Sequence, residues 1–177
     1  MKAFLYLFYH SVRLLALTIF RLFYGKKTIL NQKNLKVDYP CILVSNHPNT
    51  LHDPLHVAAK VDHRIVHFLV NAGLFATPFT NWFFSTFYCI KIERPQDVKG
   101  GKISNEKAFE ACDIFLRQGG CLYIAPEGTS RVERHIRKMK TGAARIALSA
   151  ERHNNYQLGL KILPVGLNYD NPTKFRR

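Results

Sequence analysis

The chain has 177 residues, enough for one domain with a sizeable core, and its 47% hydrophobic content excludes a disordered chain. Lys and Arg number 26 against 12 Asp and Glu, a formal net charge of +14. The partner is therefore anionic: nucleic acid, an anionic membrane surface or a phosphorylated substrate. Cys41, Cys89, Cys112 and Cys121 form no CxxC pair, so they read as buried free thiols of a reducing compartment, not a disulfide framework or a zinc knuckle.

The first element is the apolar run Ala3 to Tyr24, interrupted at His10, Arg13 and Arg21. A spanning helix wants about 20 apolar residues with few charges. A signal peptide wants a shorter apolar core and a small-residue cleavage site. The run matches neither cleanly. Wound as a helix, it places His10, Arg13 and Arg21 in one narrow sector, with Lys2 and Thr18 at its edges and Leu, Phe, Ile and Val around the rest. The pattern predicts an amphipathic membrane-associating segment over 1–27, lying in the interface with its basic stripe toward the headgroups. Packing on the domain's own core is the alternative. Lys26 and Lys27 follow and suit an anionic surface.

Beyond it, short apolar runs alternate with helical patterns. Strands are expected at Cys41 to Ser45, His63 to Val70, Phe87 to Ile92, Cys121 to Ala125 and Lys161 to Tyr169. Helices are expected from Ser104, as N-cap, to Arg117, stopping at Gly119-Gly120, and from Thr141 to His153. This alternation predicts an α/β domain over 28–177 with a mostly parallel central sheet flanked by helices. There is no internal repeat, low-complexity tract or linker.

Sites in open α/β sheets gather at the carboxyl ends of strands, and polar clusters sit at three such ends. After the first strand comes Asn46-His47-Pro48-Asn49-Thr50-Leu51-His52-Asp53. A hydroxyl nucleophile needs a base of near-neutral pKa, which histidine supplies, and a carboxylate fixes its tautomer and stabilises the imidazolium. Either His47 or His52 could pair with Asp53 on spacing alone. Glu93-Arg94 follows the third strand. The fourth runs into Pro126-Glu127-Gly128-Thr129, with Arg131, Arg134, Arg137, Lys138 and Lys140 behind it. Gly128 permits close approach of backbone to a ligand, and the amides, Thr129 and the cations could hold phosphate. A solvated basic loop is the plainer reading.

In this order, these elements resemble the glycerolipid acyltransferase superfamily, the 1-acylglycerol-3-phosphate and glycerol-3-phosphate O-acyltransferases. Asn46-His47 to Asp53 is similar to its first motif, with five intervening residues in place of four, so the turn is expected to bulge. Ile90-Lys91-Ile92-Glu93-Arg94 resembles the second. Ala125-Pro126-Glu127-Gly128-Thr129-Ser130-Arg131 resembles the third, with Ala125 in place of Phe and the arginine displaced by Ser130. Met139-Lys140-Thr141-Gly142 and Ile162-Leu163-Pro164-Val165-Gly166 resemble the downstream elements. The likeness covers about residues 40 to 170. Family members usually continue beyond the last motif, which leaves open a truncated C-terminus.

The resemblance implies an O-acyltransferase of phospholipid biosynthesis on the cytoplasmic face of a membrane. His47, oriented by Asp53, would deprotonate the acceptor hydroxyl, which attacks the thioester of acyl-CoA or acyl-carrier protein without an acyl-enzyme. Asn46, Arg94, Glu127, Gly128, Thr129, Arg131 and Lys140 would bind substrate, the cations on phosphate and Glu127 on the loop or a hydroxyl. No cofactor or metal is implied. The acceptor could be lysophosphatidate, glycerol-3-phosphate or another lyso-lipid. Two rivals come from other classes. The histidines His47, His52, His56, His63 and His67, with Asp53, could hold a metal. The charge could serve a non-catalytic membrane- or nucleic-acid-binding protein, although no nucleic-acid motif is present and none is expected as partner.

Overall fold

The computed structural model describes residues 2–24, 27–61, 64–94, 104–133 and 135–170. Lys26, His63 and Arg134, and the side chain of Lys2, lie outside that description. Five strands, β1 (Cys41–Ser45), β2 (Val66–Asn71), β3 (Cys89–Ile92), β4 (Cys121–Ile124) and β5 (Lys161–Val165), form one parallel sheet in the order β3-β2-β4-β1-β5. Among the described residues, five α-helices flank it: α1 (Lys2–Phe23), α2 (His52–Ala58), α3 (Pro78–Thr86), α4 (Glu106–Arg117) and α5 (Gly142–His153).

The pleat sends alternate residues of β1 and β4 to opposite faces. Cys41, Leu43, Cys121 and Tyr123 pack with Val57, Ala58 and Val61 in and just beyond α2. Ile42, Leu122 and Ile124 pack with Cys112 and Leu116 of α4 and Ala143, Ile146 and Ala150 of α5. A strand buried on both faces reads as a continuous apolar run, which is how β1 and β4 look in sequence. All four cysteines are free thiols. Cys41, Cys112 and Cys121 are buried and Cys89 half-buried, with the thiols of Cys89 and Cys112 pushed up by burial to about 11 and about 12.

Three expectations need correction. Asn105, not Ser104, precedes α4, and its side chain makes no cap. The Asn105 amide donates to the Glu93 carbonyl at 2.9 Å and accepts from the Glu93 N–H at 2.8 Å, tying the start of α4 to the end of β3. The fifth strand ends at Val165, not Tyr169. Asn46 captures the chain there, donating to the Leu167 carbonyl and accepting from its N–H, both at 2.7 Å, which turns the following residues back over α2.

The third correction concerns α1, which forms a continuous 22-residue helix but turns Arg13 of its expected outward stripe toward the domain while Arg21 stays exposed. Its buried residues are Tyr9, Ala16 and Phe20. Arg13, in the expected outward stripe, lies on that same inner side and donates from Nε to the Ala59 carbonyl at 3.1 Å. Tyr9 accepts the Val66 N–H, the first of β2. The exposed face is instead Phe4, Leu7, Leu14, Leu15, Ile19 and Leu22. Arg13 and Tyr9 satisfy polar backbone at the end of α2 and the start of β2, leaving the apolar arc outward. Exposed Phe79 and Trp82 of α3 extend this surface, since Phe8 lies 4.2 Å, ring to ring, from Phe87 just after α3.

Candidate active site

The parallel sheet brings the ends of β1, β3 and β4 to one edge. His47 sits two residues past β1, and its Nδ1 lies 2.9 Å from Asp53 Oδ2. A carboxylate only accepts, so Nδ1 carries the proton and Nε2 is the free base. Asp53 is completely buried at the start of α2. The extra residue between the two is absorbed by the turn preceding α2: the Asn49 N–H donates to Asp53 Oδ2 at 2.6 Å and its carbonyl accepts the Asp53 N–H at 3.1 Å. The bulge therefore aims the carboxylate back at His47.

His52 is not the partner of Asp53. Its Nδ1 lies 2.8 Å from the Tyr24 hydroxyl and 3.2 Å from Asn49 Nδ2, amid the rings of Phe20, Phe23 and Tyr24. His56 stacks on Phe20 at 3.8 Å, and burial, reinforced by Lys27, pushes it down to about 4. His67 packs on Phe115 at 3.9 Å and is likewise pushed down by burial to about 4. His52, His56 and His67 are thus taken up in aromatic packing. Among the described residues no three His, Cys, Asp or Glu could hold a metal ion.

The turn after β4 is tied to the dyad. The Gly128 N–H donates to the Ala125 carbonyl at 3.0 Å, and Gly128 adopts a φ of +72°, which favours glycine. The Arg131 N–H donates to the His47 carbonyl at 3.2 Å, while the Arg131 side chain is exposed and faces Glu133. Arg94 reaches from β3 to donate to the Gly128 carbonyl at 3.1 Å. Lys140 donates its backbone N–H to the Pro126 carbonyl, and its side chain crosses Gly128 so closely that a Cβ there would lie 2.6 Å from Nζ. Glu127 is buried, with Oε1 lacking a hydrogen-bond partner among the described residues.

His47, Arg94, Gly128 and Lys140 border one cavity of about 890 Å³. Its lining combines the polar His47, Arg94, Gly128, Thr129 and Lys140 with the apolar Phe8 and Val12 of α1 and Phe83 and Phe87 of the α3 region. Asn46, Glu127 and Arg131 do not line it. The amide of Asn46 is committed to Leu167. Sequence reasoning missed Tyr169, whose hydroxyl donates to Asp53 Oδ1 at 2.8 Å, and Asn49, whose N–H fixes Oδ2. Tyr169 carries no local signal, because only the fold brings residues 116 positions apart together.

Comparison with known proteins gives a family and a fold. The acyltransferase family model matches residues 26–168. Glycerol-3-phosphate O-acyltransferase 1 of Saccharomyces cerevisiae is 32% identical over 76 residues, 42% of this chain and 10% of the yeast protein. The crystal structure of the 1-acyl-sn-glycerophosphate (LPA) acyltransferase PlsC from Thermotoga maritima shares the fold, with a TM-score of 0.60 and 17% identity. That match covers 90% of this chain and 66% of the Thermotoga chain, so the chain spans under two thirds of the length of either relative.

Proposed function

The chain belongs to the acyltransferase family, and from that premise we propose that it moves a fatty acyl group from acyl-CoA or acyl-carrier protein to a hydroxyl of a glycerol-phosphate lipid precursor, lysophosphatidate or glycerol-3-phosphate. The observation that carries the reading is a histidine with Nδ1 on a buried aspartate, bordering a cavity lined by cations and apolar side chains. His47 Nε2 takes the proton of the acceptor hydroxyl as its oxygen attacks the thioester carbonyl. The tetrahedral intermediate expels the thiolate, which takes the proton back from the imidazolium, so ester and free thiol are the products.

The apolar lining accommodates the acyl chain. Arg94 and Lys140 receive the acceptor phosphate, with the Gly128-Thr129 backbone alongside. The high thiols of Cys89 and Cys112 and the burial of all but one cysteine argue against a cysteine nucleophile, in keeping with direct transfer. No cofactor or metal has a role in this scheme. Asn46 and Arg131 act by shape, holding the segment after β5 and the turn after β4 around His47. The outward apolar face of α1 anchors the protein at a membrane surface, on the cytoplasmic side where acyl thioesters are made, and the positive charge favours anionic lipid.

The test is thiol release from acyl-CoA and acyl-carrier protein, with lysophosphatidate, glycerol-3-phosphate and uncharged lyso-lipids as acceptors. Release that depends on a phosphorylated acceptor and falls roughly 10²–10⁴-fold in His47→Ala is expected. Near-normal turnover in a folded His47→Ala protein removes the mechanism.

A further inference from the structure

Asp53 is a completely buried carboxylate with three hydrogen-bond donors, two from the turn after β1 and one from the segment after β5. His47 Nδ1 and the Asn49 N–H share Oδ2. Oδ1 receives the Tyr169 hydroxyl at 2.8 Å. Tyr169 belongs to the segment after β5, at the far edge of the sheet, and is delivered to Asp53 by the two-way clamp of Asn46 on Leu167. Asn46 adjoins His47, so one pair of neighbours holds both the base and the strap that steadies its carboxylate. Burial, then the negative charge of Asp53, pushes the Tyr169 phenol far above its ordinary value, so it stays protonated and can only donate toward that carboxylate.

We propose that Tyr169 is a positioning residue of the His47–Asp53 pair: its hydroxyl takes up Oδ1 of Asp53, holds the carboxylate in the plane that meets His47 Nδ1, and withdraws part of the negative charge that His47 feels. The inference rests on the acyl-transfer reading of His47. A carboxylate shared with a strong donor stabilises an adjacent imidazolium less than an unshared one. Tyr169 therefore sets how readily His47 releases its proton to the departing thiolate. Among the described residues, the other titratable or charged groups around the pair include Tyr24 after α1, His52 and His56 of α2, Tyr123 of β4, Glu127 beyond it, Arg94 and Lys140 in the cavity lining, and Lys27 and Lys60 near His56. Beside His47, the side chain that donates directly to Asp53 among the described residues is that of Tyr169.

The experiment uses the full chain on mixed vesicles with acyl-CoA and lysophosphatidate, and reads pH profiles of kcat for wild type, Tyr169→Phe and protein carrying 3-fluorotyrosine at 169. Tyr24→Phe, which removes a hydroxyl from the same aromatic cluster but not from Asp53, is the control. In Tyr169→Phe, kcat falls roughly tenfold, the loss of one charge-assisted hydrogen bond, while both KM values stay within about twofold. Its acid limb moves up by about half a pH unit or more, because His47 now faces an unshared carboxylate. The more acidic fluorinated phenol donates more strongly and moves the limb the other way, which keeps the test alive if Tyr169→Phe folds poorly. Tyr24→Phe leaves the limb in place. A lower kcat with an unmoved limb in Tyr169→Phe, or no opposite movement in the fluorinated protein, overturns the proposal. Near-normal turnover in His47→Ala would instead overturn the acyl-transfer reading beneath it.

Discussion

Membrane binding through the outer face of α1 can be tested against binding through its basic stripe. Phe4, Leu7, Leu14, Leu15, Ile19 and Leu22 are between 48% and 67% exposed. Complete burial of such a side chain is worth about 2 kcal/mol, so six of them at about 60% exposure offer about 7 kcal/mol, an upper bound before the cost of immobilising the protein. Leu15→Glu removes over 1 kcal/mol of this and sets a carboxylate against the acyl chains, so vesicle binding should weaken at least about tenfold. Arg13→Gln should leave vesicle binding nearly unchanged and lower Tm, because Arg13 is spent on the Ala59 carbonyl. Co-sedimentation with neutral and anionic vesicles at low and high salt reads both variants. Apolar burial is not screened by salt, so high salt should release the wild type only in part. If Leu15→Glu binds as wild type and Arg13→Gln loses binding to anionic vesicles, the orientation of α1 deduced from the buried face is wrong.

Gly128→Ala forces a Cβ into the left-handed region at roughly 1–2 kcal/mol and onto Lys140, whose Nζ would stand 2.6 Å away. The lysine must swing aside, so KM for a phosphorylated acceptor should rise severalfold more than KM for the acyl donor; equal changes would assign Lys140 to the fold alone. Arg94→Ala should show the same bias toward the phosphorylated acceptor in steady-state kinetics. His56 and His67 are held near 4, against an ordinary value of 6.5. Between those values the unfolded chain binds protons that the folded chain refuses, so stability is full above about pH 6.5 and declines toward about pH 4. Thermal melts across that window should show the decline, and His67→Phe should flatten it; an unchanged slope in a folded variant would rule out His67 as its source.

Much of the site's framework was legible in local patterns, and the particulars say why. β1 and β4 are covered on both faces, so Cys41 to Ser45 and Cys121 to Ile124 appear as unbroken apolar runs with bounds that needed little adjustment. The polar turns after them fall at carboxyl ends because all strands are parallel, and His47, Arg94, Gly128 and Lys140, picked out by an ordered set of short motifs, line one cavity. α3 was missed: its aromatic run from Pro78 to Thr86 has weak periodicity, and its Thr77 cap, closed with Thr80 as a capping box, is a short-range signal easily read as a loop.

The sequence by itself determined the fold class and the succession of the five strands with α4 and α5, because hydrophobic period and turn residues act over a few positions. Tertiary structure alone decided the rest. Spacing left His47 and His52 equivalent; the turn at Asn49 gave Asp53 to His47 and sent His52 to Tyr24. The helical wheel of α1 showed a basic side and an apolar side, but not which one meets the sheet. That depended on carbonyl and amide groups at Ala59 and Val66 wanting partners, a demand that exists only once the helix is docked. Tyr169 reaches Asp53 only because β5 pairs with β1 and Asn46 turns the chain, a contact whose two halves are too far apart in sequence for any local pattern to join.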